Sequence, residues 1–201
     1  LYAGNVHRKT RKYFFSKDEI LKVYSLKNSP LKDTNKLDYV NEVNFLQNFP
    51  KEMKAPKLIS YLDNSESAYL VRKKIDGDVL VNSILEEKNY DVEKVLNDVL
   101  KQLVFLEKAG LYHNDVRTWN TIITPKGNAK LIDYGSITNE ARDCSWPYNI
   151  FVVFSIFVHE VTTKTADFIK NEKSNLIFKT NPFLLINCLL LFYKLLILQI
   201  Q

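Results

Sequence analysis

The stretch Leu111–Ile123, LYHNDVRTWNTII, sets a histidine, an aspartate and an asparagine in one short polar loop and then runs into β-branched residues. A plain surface loop has no need of that combination. A phosphate-handling site does: a carboxylate can take a hydroxyl proton, and an amide oxygen suits a hard cation. Asp115 stands just before the strand-like NTIIT and Asn120 opens it; after the turn Lys126-Gly127-Asn128, the strand-like AKLID ends on Asp133. A hairpin of these two strands brings Asn120, where the chain enters it, beside Asp133, where the chain leaves. Asn120 and Asp133 then read as ligands for Mg2+, which keeps waters and substrate phosphate in its shell. Asp115, standing away from the metal, reads as the base. Gly135 permits a backbone bend just beyond Asp133. Each residue alone reads as the cap of a turn; in this order the three read as a site.

Working outward, DVEKVLNDVLKQLVFLEKAG is the clearest helix, with Val92, Val95, Leu96, Val99, Leu103 and Leu106 on one face and Gly110 as its stop. RKYFFS and EILKVYSL read as strands around the turn Ser16-Lys17-Asp18, and PKLISYLDN with SAYLVRKKI as a further hairpin. Between them, Leu37, Val40, Val43, Leu46 and Phe49 recur at a spacing near three, which predicts an amphipathic helix with those residues inward, ended by Pro50. NIFVVFSIFVHEV predicts a second, strongly apolar helix after Pro147. The fold class is therefore α+β: a β-rich first part with one helix, then a mostly helical second part carrying the polar hairpin.

Composition bounds the function classes. The 201 residues are 46% hydrophobic and 12% aromatic, enough to build a core and unlike a disordered chain. A net charge of +5 is mildly basic, and runs such as HRKTRK read first as a solvated face rather than a nucleic-acid surface. Cys144 and Cys188 offer neither a disulfide framework nor zinc spacing, so a reducing, cytoplasmic setting is expected. The chain opens on Leu1, and Met53 is its one methionine, which suggests a piece of a longer product. Residues 171–201 end in FLLINCLLLFYKLLILQI, interrupted by Asn187 and Lys194. That tail reads equally as a packing helix, a membrane anchor at the inner face of the plasma membrane, or out-of-frame translation that leaves the second lobe truncated.

The motifs HNDVRTWN and DYG resemble the H-R-D-L-x-x-x-N catalytic loop and the D-F-G of protein-kinase-like enzymes, in the same order and separation. The resemblance implies a two-lobed fold, with residues 1–75 as the first lobe, 76–170 as the second and 171–201 unassigned. It implies ATP and Mg2+ as cofactors, Asp115 as catalytic base, and His113 as a residue that shapes the loop. Lys22 in EILKV stands where the family places a lysine on the α- and β-phosphates, with Glu42 as its helical partner. LVRKKIDGD resembles the segment between lobes, where backbone groups near Lys73 and Ile75 would bind adenine. Asn114 replaces the arginine that docks an activation-loop phosphate in many relatives.

The chain also departs from that pattern. No G-x-G-x-x-G precedes the first strands, where only Gly4 is available, and no A-P-E follows the fifteen residues 134–148. Such economy suits small-molecule and sugar kinases. IDYGSI, LYHNDVRTWN and DCSWPYN, within roughly Lys12–Thr165, are similar to the kinase domain of bacterial O-antigen chain terminators, the WbdD-type bifunctional methyltransferase–kinases. That resemblance implies phosphorylation of a sugar hydroxyl at the end of a lipopolysaccharide O-antigen chain, a methyltransferase domain missing ahead of this chain, and Asp143 as a brace of the catalytic loop. Trp119 and Trp146 read either as core residues or as faces for a sugar ring. A protein Ser/Thr or Tyr kinase, and a non-catalytic pseudokinase acting as a binding module, remain alternatives.

Overall fold

The computed structural model describes residues 10–27, 30–140 and 150–164. The chain begins with two strands, β1 (Arg11–Phe15) and β2 (Glu19–Ser25), joined by the expected turn at residues 16–18. Helix α1 (Lys32–Asn48) follows, then a short 3-10 turn and the hairpin β3 (Leu58–Asp63) and β4 (Ser67–Lys73). The four strands form one antiparallel sheet in the order β1-β2-β4-β3. Alternation sets what it buries. On β2, Ile20, Lys22 and Tyr24 are buried; on β4, Ala68, Leu70 and Arg72 are. Two of those six inward residues are cations, so this core must contain something to meet them.

Helix α1 supplies it, though not with the face the spacing predicts. Leu37 and Val40 are exposed, at 42% and 36%, while Asn35, Tyr39, Glu42, Val43, Phe45 and Leu46 are buried. The physical reason is the polar demand of the sheet. An inward Glu42 and Asn35 satisfy cations that an all-apolar face would leave unpaired. Phe49, the residue before Pro50, is extended and ends the helix where expected.

The second part starts with β5 (Asp78–Val79) and the short helix α2 (Leu80–Leu85), which the periodicity did not predict. Helix α3 (Val92–Lys108) is capped by Asp91, whose side chain accepts from Lys94 N at 2.9 Å, and Gly110 closes it at φ 69°. It buries Val95, Leu96, Val99, Leu100, Leu103 and Leu106, each such side chain contributing at most about 1.5–3 kcal/mol of hydrophobic stabilisation. Against it lie β6 (Tyr112–His113) and β8 (Ala129–Leu131), and the remaining strands are β7 (Thr121–Ile123) and β9 (Ile137–Thr138). β7 and β8 pair antiparallel as the expected hairpin, with β5 alongside β7; β6 pairs with β9. Helix α4 (Ile150–Thr163) packs on α3. Among the described residues no helix is long and apolar enough to cross a membrane. Gly4, Asp143, Trp146 and the tail 171–201 lie outside the described residues.

The bend near Gly135 also differs from expectation. The left-handed residue is Asp133 itself, at φ 64° and ψ 61°. Gly135 is required for a different reason: a Cβ there would stand 2.9 Å from the Asp38 carbonyl oxygen and 3.1 Å from Asp38 Cβ. Helix α1 rests directly on this turn, and Asn41 Nδ2 donates to the Gly135 carbonyl at 3.2 Å. Gly135→Ala should therefore push α1 outward and cost about 1–3 kcal/mol. Thermal unfolding reads the loss, and an unchanged midpoint would mean that α1 does not sit so close.

Candidate active site

The site is assembled from a sheet, a helix and a hairpin. Strand β2 points Lys22 inward and α1 brings Glu42 to meet it: Lys22 Nζ lies 2.6 Å from Glu42 Oε2. The same oxygen accepts from Tyr24 Oη at 2.8 Å. Lys22 Nζ also lies 3.4 Å from Asp133 Oδ1, across 111 residues of chain. Burial works against the Lys22 charge, but Glu42 and Asp133 outweigh it and hold the ammonium above its ordinary range. Burial likewise opposes the Asp133 charge, and Lys22, Arg11 and His113 together hold that carboxyl below the ordinary range. The pair is thus a cation and an anion throughout the neutral range. Tyr13 on β1 places its ring 5.6 Å from Lys22 Nζ.

The loop from Asp115 to Asn120 is tied to itself. Asn120 Nδ2 donates to the Asp115 carbonyl at 2.9 Å and to Asp115 Oδ2 at 2.6 Å. This leaves Asn120 Oδ1 as the amide oxygen for a cation. The hairpin closes behind it, with Ile132 N donating to the Asn120 carbonyl at 2.8 Å, so Asn120 and the residue before Asp133 are neighbours, as the spacing predicts. His113 bonds through Nε2 to the Ile132 carbonyl at 2.9 Å, and its Nδ1 accepts from Asp115 N at 3.2 Å. Burial lowers the His113 pKa, against its bond to the Ile132 carbonyl and the charges of Asp115 and Asp133. Burial and the nearby Asp133 charge raise the Asp115 carboxyl, against His113, Arg117 and Trp119.

Lys73 and Ile75 lie apart from this cluster, at the end of β4. The Lys73 N–H is engaged by the Lys57 carbonyl at 2.9 Å. The Lys73 carbonyl accepts from Arg72 Nη1 at 3.1 Å. Trp119 is half-buried: its Nε1 approaches Asp115 Oδ2 at 3.4 Å, and the Arg117 guanidinium lies 5.9 Å from its ring centre.

Three contributors went unread in the sequence. Arg72 is buried beside Glu42, and strand alternation from Ala68 and Leu70 was the signal for it. Arg117 adds positive charge two residues from Asp115. Glu160 sits in the apolar stripe of α4 and accepts from Thr118 N at 3.0 Å through Oε2. It thus holds the 115–120 loop from α4; Asp143, the residue expected to brace that loop, lies outside the described residues.

Burial raises the Glu160 carboxyl above its ordinary range, against its bond from Thr118 and the Arg117 charge. A carboxyl raised in the fold stabilises most at low pH and loses that contribution as pH rises through its folded pKa. Glu160→Gln should therefore match the parent at neutral pH to within about 1 kcal/mol, with any advantage shrinking on acidification. Glu160→Ala strands a buried N–H and should cost about 1–3 kcal/mol. Chemical denaturation across pH checks both, and equal losses would remove Glu160 as the acceptor.

The family model of the protein kinase domain matches residues 7–164. The O-antigen chain terminator bifunctional methyltransferase/kinase WbdD of Escherichia coli is 33% identical over 186 residues, covering 90% of this chain and 25% of that protein. The chain thus spans about a quarter of the length of such relatives. Among solved structures, monomeric WbdD superposes with a TM-score of 0.72 at 33% identity, over 80% of this chain and 39% of the other. WbdD co-crystallised with a kinase inhibitor gives 0.69 at 32% identity, over 80% and 37%. Together with the β-rich first part, the helical second part and the Lys22–Glu42–Asp133 cluster, these matches show that the chain belongs to the protein kinase domain family, a family of ATP-dependent phosphotransferases.

Proposed function

We propose that this domain transfers the γ-phosphoryl group of ATP to a sugar hydroxyl at the end of an O-antigen polysaccharide. The observation that carries the reading is Lys22 Nζ standing between Glu42 and Asp133, with the Asp115–Asn120 loop docked on the same hairpin. The similarity to WbdD supports the acceptor class, because its name pairs chain termination with a kinase.

In this reading Glu42 aims Lys22 at the α- and β-phosphates. The Lys73 carbonyl and the Ile75 N–H hold adenine, near the division of the two lobes at residue 76. Asp115 accepts the proton of the attacking hydroxyl and orients its oxygen. Arg117, close by, offsets charge on the transferring group. The donor set fits Mg2+: Asn120 Oδ1 and a carboxylate kept ionised at Asp133 are hard oxygen ligands, and substrate phosphates complete such a shell. The ion would supply charge neutralisation at the β- and γ-phosphates. Because burial and the Asp133 charge raise the Asp115 carboxyl, Asp115 in the metal-free protein should protonate at a pH above the ordinary aspartate range, which an NMR titration reads. The phosphate product would be the substrate of the methyltransferase activity that the relatives' name pairs with the kinase.

Asp115→Asn should keep ATP binding while lowering turnover by about 10²–10⁴-fold, and Asp133→Ala should remove the Mg2+ dependence of ATP binding. Calorimetry with and without Mg2+, with single-turnover kinetics, reads both. Mass spectrometry of mannose-type oligosaccharides and peptides incubated with ATP–Mg2+ decides the acceptor. Phosphosugar supports the proposal and phosphopeptide alone points to a protein kinase. Neither product, from a protein that binds ATP, points to a pseudokinase.

A further inference from the structure

Arg72 takes no part in the chemistry just described, yet it touches three of the elements that carry it. It is 3% exposed on β4, and its Nε lies 3.4 Å from Glu42 Oε1. That contact is an ion pair without good hydrogen-bond geometry, and neither atom has a hydrogen-bond partner among the described residues. Its Nη1 donates to the Lys73 carbonyl, and its guanidinium lies 5.6 Å from the centre of the Tyr134 ring, which is stacked on Phe45 of α1 at 5.0 Å.

We infer that Arg72 is a positioning residue that links the adenine end of the site to its phosphate end, acting through Glu42 and Tyr134. Glu42 stands between two buried cations, Lys22 on one oxygen and Arg72 near the other. Within the buried core Lys22 and Arg72 share the one carboxylate of Glu42, and Asp133, 30% exposed at the rim, is the second anion facing Lys22. Without Arg72, the whole charge of Glu42 would fall to Lys22 and Tyr24. Lys22 would then be drawn toward α1 and away from Asp133 and the incoming phosphates. The turn carrying Asp133 would also lose the cation over Tyr134 that helps fix its left-handed backbone.

This inference rests on the phosphotransfer reading, and its test separates the two. Arg72→Met keeps the apolar length and removes the charge. It should lower kcat/KM for ATP at least about tenfold, while Arg72→Lys recovers activity to within about threefold of the parent. In Glu42→Gln protein, adding Arg72→Met should lower kcat/KM for ATP by only about threefold or less, because the Glu42 route is already lost and the contact with Tyr134 alone remains. A merely structural loss would instead multiply with the Glu42 defect, and either that result or an unchanged Arg72→Met enzyme overturns the inference. If Arg72→Met does not fold, Arg72→Gln carries the same comparison. If the parent binds no ATP, the phosphotransfer reading fails on its own. Thermal unfolding of the same four proteins then decides: non-additive losses at Arg72 and Glu42 support the link, and additive losses overturn it.

Discussion

The arrangement depends on one buried carboxylate. Glu42 is fully enclosed, and it is tolerable there only because Lys22, Tyr24 and Arg72 converge on it. Desolvating a carboxylate costs several kcal/mol, and removing one partner of such a pair typically costs about 3–5 kcal/mol. The cluster is therefore less a source of stability than a specification. Helix α1 can dock on the sheet in one rotation only, the one that puts Glu42 between the two inward cations. The same rotation leaves Leu37 and Val40 in water. Apolar surface is given up so that charge can be matched, since an unpaired buried charge costs more than two exposed aliphatic side chains.

The second half meets this cluster through a small amount of backbone. The hairpin of β7 and β8 sets Asn120 beside Ile132, His113 struts the loop against the Ile132 carbonyl, and Glu160 holds Thr118 from below. Each contact ends on a main-chain group rather than on another reactive side chain. The loop is thus held largely through main-chain atoms rather than through the side chains of Asp115 and Asn120. Pairing of β6 with β9 adds a second clasp, reinforced by Asn114 Nδ2, which donates to Thr138 Oγ1 at 2.9 Å and to the Glu140 carbonyl at 3.0 Å. In this chain the residue that replaces the usual arginine fastens the segment after the turn directly.

What could be read in the sequence was whatever is local. Asn120 and Asp133 flank one contiguous hairpin, and the pairing of its strands, with Asn120 beside Ile132, is what the spacing predicts. Helix α3 was legible because its partners are apolar, so its periodicity is undisturbed. Helix α1 was misread because its buried face mixes Asn35, Tyr39 and Glu42 with aliphatic residues, and hydrophobic spacing cannot see a polar residue that is buried for its charge. Arg72 and Glu160 were missed for the same reason. Each looks like a surface residue until its partner, 30 or 42 positions away, is brought against it. The alternation on β4 did point Arg72 inward; what alternation could not supply was a reason for it to be there.

Asp133 carries two demands that arise separately. Its backbone is left-handed, at φ 64°, a conformation that glycine and asparagine take readily and aspartate tolerably, while longer or branched side chains resist it. Its side chain must also be an anion, because Lys22 faces it in a buried setting. Asparagine meets the first demand and fails the second; glutamate meets the second and fits the first poorly. Aspartate satisfies both. In the language of sequence space, this position has no neutral neighbours. A library randomised there should return the parent residue alone, whereas at Leu37 or Val40, on the wet side of the same helix that covers it, almost any helix-forming residue should pass.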